Sequence, residues 1–216
     1  MPYETEIKVA IPDLKALARS LKRLGVKPKN PKCPRVHEMN LLFDTPDGGL
    51  AKHGQLLRIR TETPAAGKRP ARGKIARTLL TFKSPPDHLA IGDFRAGGER
   101  RYKVREEIEA ILPDRASLQK IFEGLGLRGW FRYEKFRTTY VLPARQAWAK
   151  GLLIEVDETP LGVFMELEGP GEAIDRAARE LGFSRKDYIL KNYLVLYLDE
   201  CKRKGTEPAH MLFSGQ

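Results

Sequence analysis

Charged and apolar residues alternate in the segment YETEIKV near the start of the chain. Glu4, Glu6 and Lys8 occupy every second position, and the positions between them, up to Val9, are mostly apolar. In an extended strand, alternate side chains point to the same face and lie about 6.5–7 Å apart. The pattern therefore predicts a strand that presents two carboxylates and an ammonium group on one face and packs its other face into a core.

The same alternation recurs in six further segments, each of which predicts a strand. The repeated polar positions are Arg58 and Arg60, Thr81 and Lys83, Arg105 with Glu107 and Glu109, Lys135 and Arg137, Glu155 and Asp157, and Glu166 and Glu168. Leucine, β-branched or aromatic residues fill the other face of each strand. A flat sheet with one wet face is the alternative, but such faces usually mix in Ser, Thr and Gln. The pattern favours a closed or strongly curved sheet with a charged concave side.

Helical periodicity predicts four helices, over residues 14–24, 115–125, 172–181 and 187–204. Strands and helices alternate irregularly, with several strands in succession, which indicates an α+β protein built on an antiparallel sheet. We predict one domain over residues 1–204 and a loose tail over residues 205–216. Asp44, in the segment FDTP, is predicted to cap a turn, and Glu155 is interpreted as an exposed charge partner.

Composition excludes several classes of protein. No apolar stretch reaches the roughly 18 residues of a membrane span, and the N-terminus lacks the features of a signal peptide, so a cytoplasmic protein is expected. Cys33 and Cys201 lack metal-type spacing. The net charge of +11 favours an anionic partner. A basic run from Lys68 to Arg77 contributes to that charge and is interpreted as a solvated loop.

Motifs for the common catalytic devices are absent from the sequence: there is no GxxxxGK[ST] loop, no GxSxG elbow and no HExxH helix, and the four histidines form no cluster. Many carboxylates and many Arg and Lys side chains remain. Carboxylates bind Mg²⁺ or Mn²⁺, and arginine forks bind phosphate oxygens in pairs. Phosphoryl transfer depends mainly on positioning and charge neutralisation, so this set of residues suits a triphosphate.

The opening ETEIK resembles the ExExK signature of the CYTH family, also called triphosphate tunnel metalloenzymes. Later segments resemble successive family segments in the same order: NLLFDTPDGGLAKHGQLLRIR, LTFKSP, VREEIEA, EKFRTTY, LLIEVDETPLGVFMELEG and YILKNYLVLY. The family includes class IV adenylyl cyclases, thiamine triphosphatases and inorganic triphosphatases. The resemblance implies a closed antiparallel β-barrel that forms a tunnel, with helices packed outside.

The resemblance also implies residue roles. The implied metal ligands are Glu4, Glu6, Glu166 and Glu168, with Asp157 nearby. The implied triphosphate contacts are Lys8, Arg58, Arg60, Lys83, Lys135, Arg137 and Lys191. Glu107 and Glu109 lie where the family carries an acidic strand, and they join Glu4, Glu6 and Lys8 as candidate catalytic residues. The last segment reads KNY where family members often have KSY, and the basic loop over 64–77 is longer than the expected hairpin.

Three hypotheses for the function follow. The leading one is Mg²⁺- or Mn²⁺-dependent hydrolysis of inorganic triphosphate or of a small organic or nucleoside triphosphate. The alternatives are a class IV adenylyl cyclase that makes cyclic AMP from ATP, and a non-catalytic module that binds polyphosphate or RNA. No residues for a nucleoside pocket can be identified in the sequence, which favours hydrolysis. A homodimer is left open, and no membrane partner is expected.

Overall fold

Eight antiparallel strands close into a barrel in the computed structural model, which describes residues 3–66, 69–70, 77–85 and 101–214. The strands are β1 (Tyr3–Ala10), β2 (Lys27–Pro28), β3 (Arg35–Asp44), β4 (Leu56–Ala66), β5 (Arg69–Pro70), β6 (Arg77–Ser84), β7 (Lys103–Leu112), β8 (Arg128–Val141), β9 (Leu153–Thr159) and β10 (Gly162–Glu168). The helices are α1 (Leu14–Leu24), α2 (Gly49–Lys52), α3 (Arg115–Gly124), α4 (Gly171–Glu180) and α5 (Tyr193–Lys204).

The barrel runs in the order β8, β3, β4, β6, β7, β1, β10, β9, and β9 pairs again with β8. The short strands β2 and β5 extend the sheet at β8 and β4. This arrangement confirms the predicted α+β fold with a closed antiparallel barrel and helices outside. Residues directly opposite each other on paired strands share a face. Because Lys8 lies opposite Glu166 and Glu6 opposite Glu168, the charged positions of different strands converge on the barrel interior.

The main hydrophobic core lies outside the barrel, between its wall and helices α1 and α4. The outward-facing residues Ile7 and Val9 of β1 are fully buried there. They pack with Leu17 of α1, with Ile174 of α4 and with Met165 of β10. Because the apolar faces of the strands are buried against these helices, the barrel interior is left to polar and charged side chains.

Side chains that accept backbone hydrogen bonds fix the local turns. Asp13 caps α1 by accepting from the backbone N–H groups of Lys15 and Ala16. The α1 helix ends at Gly25, whose φ of +77° lies in the left-handed region that favours glycine. Asp44 accepts hydrogen bonds from the backbone of Thr45, Leu50 and Ala51, which confirms its predicted turn-capping role.

The last helix begins later than predicted. The sequence pattern suggested a helix over residues 187–204, whereas α5 covers only Tyr193–Lys204. Ile189 exchanges backbone hydrogen bonds with Lys8 and therefore adopts an extended conformation. Asn192 then caps the helix through a hydrogen bond from the backbone of Val195. The pairing of distant segments thus overrides the local helical pattern and brings the start of α5 to one end of the barrel.

Residues 210–213, part of the segment predicted as a loose tail, run along one edge of β8. Met211 is 1% exposed and pairs through its backbone with Arg132 and Glu134. The backbone N–H of Phe213 donates to Glu134 Oε1 at 2.6 Å. Most of the basic run from Lys68 to Arg77 falls outside the described residues. Within the described ranges, no helix is long and apolar enough to cross a membrane.

Candidate active site

The barrel encloses a cavity of about 780 Å³ whose walls are dominated by charged side chains. Its carboxylates are Glu4, Glu6, Glu38, Glu62, Glu107, Glu109, Glu155, Glu166 and Glu168. Its cations are Lys8, Lys29, Arg58, Arg60, Arg77, Lys83, Lys103, Lys135 and Arg137. A cavity of this volume suits a small-molecule ligand, and the mixture of charges suits an anion accompanied by a cation.

The strand periodicity brings together nearly all of the site residues predicted from the sequence. Every predicted metal, phosphate and catalytic residue lines the cavity except Asp157 and Lys191. Asp157 is completely buried behind the cavity wall. The Lys191 side chain is 58% exposed and pairs with Asp199 at 2.7 Å outside the cavity. The structure therefore separates these two residues from the rest of the predicted set.

Asp157 anchors two of the predicted phosphate-binding cations. Its carboxylate accepts a hydrogen bond from Lys135 Nζ at 2.7 Å and two from Arg137, at 2.7 Å and 2.6 Å. The hydroxyl of Tyr193 donates to the same carboxylate at 2.7 Å. Burial and the neighbouring Asp157 raise the pKa of Tyr193 well above its usual value, so the hydroxyl remains a donor. The Asp157 carboxylate therefore fixes the positions of Lys135 and Arg137.

Each of the three charged residues Glu4, Glu6 and Lys8 of β1 forms an ion pair with a side chain on another strand of the barrel. Lys8 Nζ lies 2.8 Å from Glu166 Oε1, Lys83 bonds Glu4, and Lys103 bonds Glu6. Although burial opposes ionisation, Lys8 and Arg137 hold the pKa of Glu166 well below its usual range. Glu166 is therefore a stable carboxylate.

Glu168 is a partly buried carboxylate whose negative charge is poorly compensated by its neighbours. It faces Glu6 across the β1–β10 pair and has no ion pair or hydrogen bond to its carboxylate within the described part of the chain. Burial, followed by repulsion from Glu155 and Glu4, raises the pKa of Glu168 to about 8. Burial also raises the pKa of Glu4, despite the opposing effect of Lys83. A divalent cation bound between such close carboxylates would relieve their mutual repulsion and favour their ionised form.

The chemistry of this group fits Mg²⁺ or Mn²⁺, because the available donors are carboxylate oxygens. In the arrangement described, no three potential metal ligands of the described residues converge on a single point. Lys83 and Lys103 bond the carboxylates of Glu4 and Glu6 instead. A metal at this position would therefore replace these lysines as the partner of both carboxylates.

Two arginines on β4 donate hydrogen bonds to neutral side chains. Arg58 donates to the hydroxyl of Tyr133 at 2.9 Å and to Thr81 Oγ1 at 3.2 Å. Arg60 Nε donates to Asn40 Oδ1 at 3.1 Å. Arg58 lines the cavity although only 5% of its surface is exposed. Because the partners of Arg58 carry no charge, its guanidinium group keeps its attraction for an anion, whereas Arg60 also lies near the carboxylates of Glu38 and Glu62.

Sequence reasoning missed several residues of the site. Glu38 and Asn40 of β3 are both buried inside the barrel and contact Arg60. They stand at alternate positions of the segment VHEMNLLFD, so the period-2 pattern used for the other strands could have identified them. Tyr133 and Tyr193 were missed because an aromatic residue on a strand or helix is usually part of an apolar core.

Two further charged residues lie on the same face of the barrel wall as the site residues. Glu155 is 7% exposed, pairs with Arg137 and accepts from Thr139 Oγ1 at 3.0 Å, so its interpretation as an exposed charge partner is wrong. Arg105 lies opposite Glu4, and its Nε has no hydrogen-bond acceptor among the described residues. Burial lowers the pKa of Arg105. The charges of Glu6 and Glu4 oppose this effect, and the guanidinium next to Glu4 is a further candidate to bind an anion.

Comparison with known proteins identifies the same family as the sequence motifs. A family model described as the CYTH domain matches residues 2–193. A Methanocaldococcus jannaschii protein named "Putative adenylate cyclase MJ0240" is 27% identical over 205 residues, which cover 89% of this chain and 97% of that protein.

Two solved structures show the same fold. One is described as a putative adenylate cyclase from Vibrio parahaemolyticus; it has 16% identity and a TM-score of 0.67, and the match covers 90% of this chain and 97% of that one. The other is from Hippeastrum and is described as "Putative adenylyl cyclase HpAC1 from Hippeastrum reveals a dominant triphophatase activity". It has 20% identity and a TM-score of 0.54, and the match covers 95% of this chain and 97% of that one.

Proposed function

Because the chain belongs to the CYTH domain family, we propose that it is a divalent-metal-dependent enzyme that hydrolyses a linear triphosphate inside its barrel. The substrate is inorganic triphosphate or a small organic or nucleoside triphosphate. The observation that carries the proposal is one cavity of about 780 Å³ that holds both a group of arginines and lysines and a group of mutually repelling carboxylates. A triphosphate with its metal complements both groups.

The cationic side of the cavity would bind the phosphate oxygens. Arg58 and Arg60 offer planar forks that are held in place by Tyr133, Thr81 and Asn40. Such forks bind phosphate oxygens in pairs, with shorter and stronger hydrogen bonds than neutral donors make. Because these side chains are already oriented, little conformational entropy is lost when the phosphate binds.

Lys135 and Arg137 of β8 would complete the group of phosphate-binding cations. These two residues, together with Arg58 and Arg60, are called the phosphate clamp. Both cations are fixed by Asp157, whose buried carboxylate we assign to positioning rather than to direct contact with the metal. Lys8 lies between Glu166 and the ring of Tyr193, 4.1 Å from the ring centroid, where it can reach an anion in the cavity. Lys191 would reach the substrate only by leaving Asp199.

Glu4, Glu6, Glu166 and Glu168 would hold Mg²⁺ or Mn²⁺, which when bound neutralises phosphate charge and lowers the pKa of a bound water. Lys83 and Lys103 neutralise Glu4 and Glu6 in the structure, and each would then be released to contact a phosphate oxygen. Glu107 lies 3.3 Å from Lys83, and Glu109 accepts from Thr81 at 3.0 Å. These two carboxylates would orient the side chains of Lys83 and Thr81.

Adenylyl cyclase activity is the alternative function, and the name of the M. jannaschii relative favours it. Cyclisation of ATP also needs a pocket that brings the 3′-hydroxyl onto the α-phosphate. Hydrolysis needs only a metal site, a phosphate clamp and water. The residues assigned above to the metal site and to the clamp line the cavity. The triphosphatase activity named for the Hippeastrum protein supports hydrolysis as the first choice. A non-catalytic polyphosphate- or RNA-binding module is the remaining alternative.

A panel of inorganic triphosphate, thiamine triphosphate and ATP, each with Mg²⁺ or Mn²⁺, tests the proposal. Phosphate, pyrophosphate and cyclic AMP are resolved as products, and Glu6→Gln is run beside the wild type. We expect phosphate release from a triphosphate that is lost in the variant. Cyclic AMP formation faster than phosphate release would establish the cyclase instead, and binding without turnover of any substrate would leave the binding module.

A further inference from the structure

Glu38 is a buried carboxylate in the middle of the phosphate clamp. It is 1% exposed and lies 3.4 Å from Arg60, 3.5 Å from Lys135 and 3.7 Å from Arg137. Its Oε2 atom accepts no hydrogen bond from any described residue. The carboxylate therefore neutralises three cations at once without forming a close, directed hydrogen bond to any of them.

This arrangement differs from that of the other carboxylates near these cations. Asp157 binds Lys135 and Arg137 at 2.6–2.7 Å and is saturated with donors. Glu38 instead occupies the space between the cations at distances beyond ordinary charge-assisted hydrogen bonds. Burial disfavours its charge, but Arg60, Lys135 and Arg137 hold its pKa far below the usual range, so it stays ionised.

We propose that Glu38 is an internal counter-anion of the phosphate clamp, which weakens the binding of triphosphate and of its pyrophosphate product so that the product is released. This inference rests on the function proposed above. Hydrolysis converts triphosphate and water into pyrophosphate and phosphate, and both substrate and product carry several negative charges. A clamp made only of cations would retain the product, whereas a fixed negative charge among them lowers the affinity for every anion.

Asn40 provides the means to test the charge separately from the shape. It lies two residues from Glu38 on the same face of β3, and its Oδ1 accepts from Arg60 Nε at 3.1 Å. Asn40→Asp therefore adds a negative charge next to the same guanidinium that Glu38 contacts. Glu38→Gln removes a negative charge while keeping the side-chain size and an oxygen acceptor. The double variant moves the charge along the strand and leaves the total unchanged.

The experiment measures dissociation constants for inorganic triphosphate and for pyrophosphate by calorimetry, in metal-free buffer at constant ionic strength. Glu158→Gln serves as the matched control, because it removes one negative charge from the outer face of the barrel, where Glu158 pairs with Arg35. The Glu38 carboxylate and a phosphate charge about 8 Å away, at an effective dielectric constant of about 20, would interact strongly enough to change the dissociation constant about tenfold or more. Thermal unfolding of each variant checks its fold.

We expect Glu38→Gln to bind both anions about tenfold more tightly and Asn40→Asp to bind them about tenfold more weakly. The double variant should return to within about threefold of the wild type, and Glu158→Gln should change little. In turnover, Glu38→Gln should show stronger inhibition by pyrophosphate, which loss of a purely structural contact would not produce.

Two results separate the possible failures. Unchanged or weaker anion binding by a folded Glu38→Gln variant, or unchanged binding by Asn40→Asp, would overturn the role of Glu38 while leaving the proposed function in place. If the wild type binds neither anion in metal-free buffer, this inference is overturned, whereas the proposed function is decided separately by the turnover panel with Mg²⁺ or Mn²⁺. If Glu38→Gln does not fold, the opposite shift expected for Asn40→Asp still decides the question.

Discussion

Glu168 should make the metal-free protein less stable as the pH rises, and Glu168→Gln should remove that dependence. The side chain projects into the cavity, where burial and the charges of Glu155 and Glu4 raise its pKa to about 8. In the unfolded chain the same group titrates near 4.5. Between these two values the folded protein holds a proton that the unfolded chain has lost.

The sign and size of the effect follow from that difference. Stability is fully present below about pH 4.5 and falls as the pH rises towards 8, because the unfolded chain binds fewer protons than the folded one in this window. At about 1.4 kcal/mol per pKa unit, the loss from this one group is at most on the order of 5 kcal/mol. Gln cannot ionise, so the variant keeps the stability of the protonated wild type.

Urea denaturation in the presence of a chelator, at pH 5.5 and pH 8.5, measures the effect. The stability advantage of Glu168→Gln should grow from about 1 kcal/mol at pH 5.5 to several kcal/mol at pH 8.5. Glu158→Gln, which alters a carboxylate on the outer face, should show no such growth. Added Mg²⁺ or Mn²⁺ should stabilise the wild type more than the variant. An advantage that is equal at both pH values, or a variant less stable at pH 8.5, would refute the reasoning.

Further variants test the other parts of the site. Glu6→Gln should lose nearly all turnover while remaining folded; near wild-type rates at saturating Mg²⁺ would contradict its metal role. Arg58→Lys should weaken triphosphate binding by about 1–3 kcal/mol in calorimetry because the planar fork is lost, and unchanged affinity would count against it. Arg105→Gln should weaken triphosphate binding without lowering stability, since its Nε has no described partner to lose; a loss of stability alone would assign it a structural role. Tyr193→Phe should cost about 1 kcal/mol of stability in urea denaturation through the lost hydrogen bond to Asp157, and no change would show that bond to be dispensable.

The interior position of most site residues could be predicted from the sequence because a strand has a side-chain period of two. Once a run such as Ile7, Val9 is assigned to the core, Glu6 and Lys8 must face the other side. The recurrence of this pattern on several strands predicted a charged concave face before any strand pairing was known. The turn-capping role of Asp44 was also predictable, since a short carboxylate beside a turn accepts backbone hydrogen bonds locally.

The partners of each charge were decided only by the tertiary structure. Barrel closure and strand register determine which charges meet, and both depend on contacts between residues far apart in sequence. For this reason Asp157 lies behind Lys135 and Arg137, Glu155 faces the interior rather than solvent, and Lys191 pairs outside the cavity. The start of α5 likewise depends on pairing of Ile189 with the first strand. Local periodicity determines the face of a side chain, whereas its distance to a partner, and hence its charge state, depends on the closed barrel.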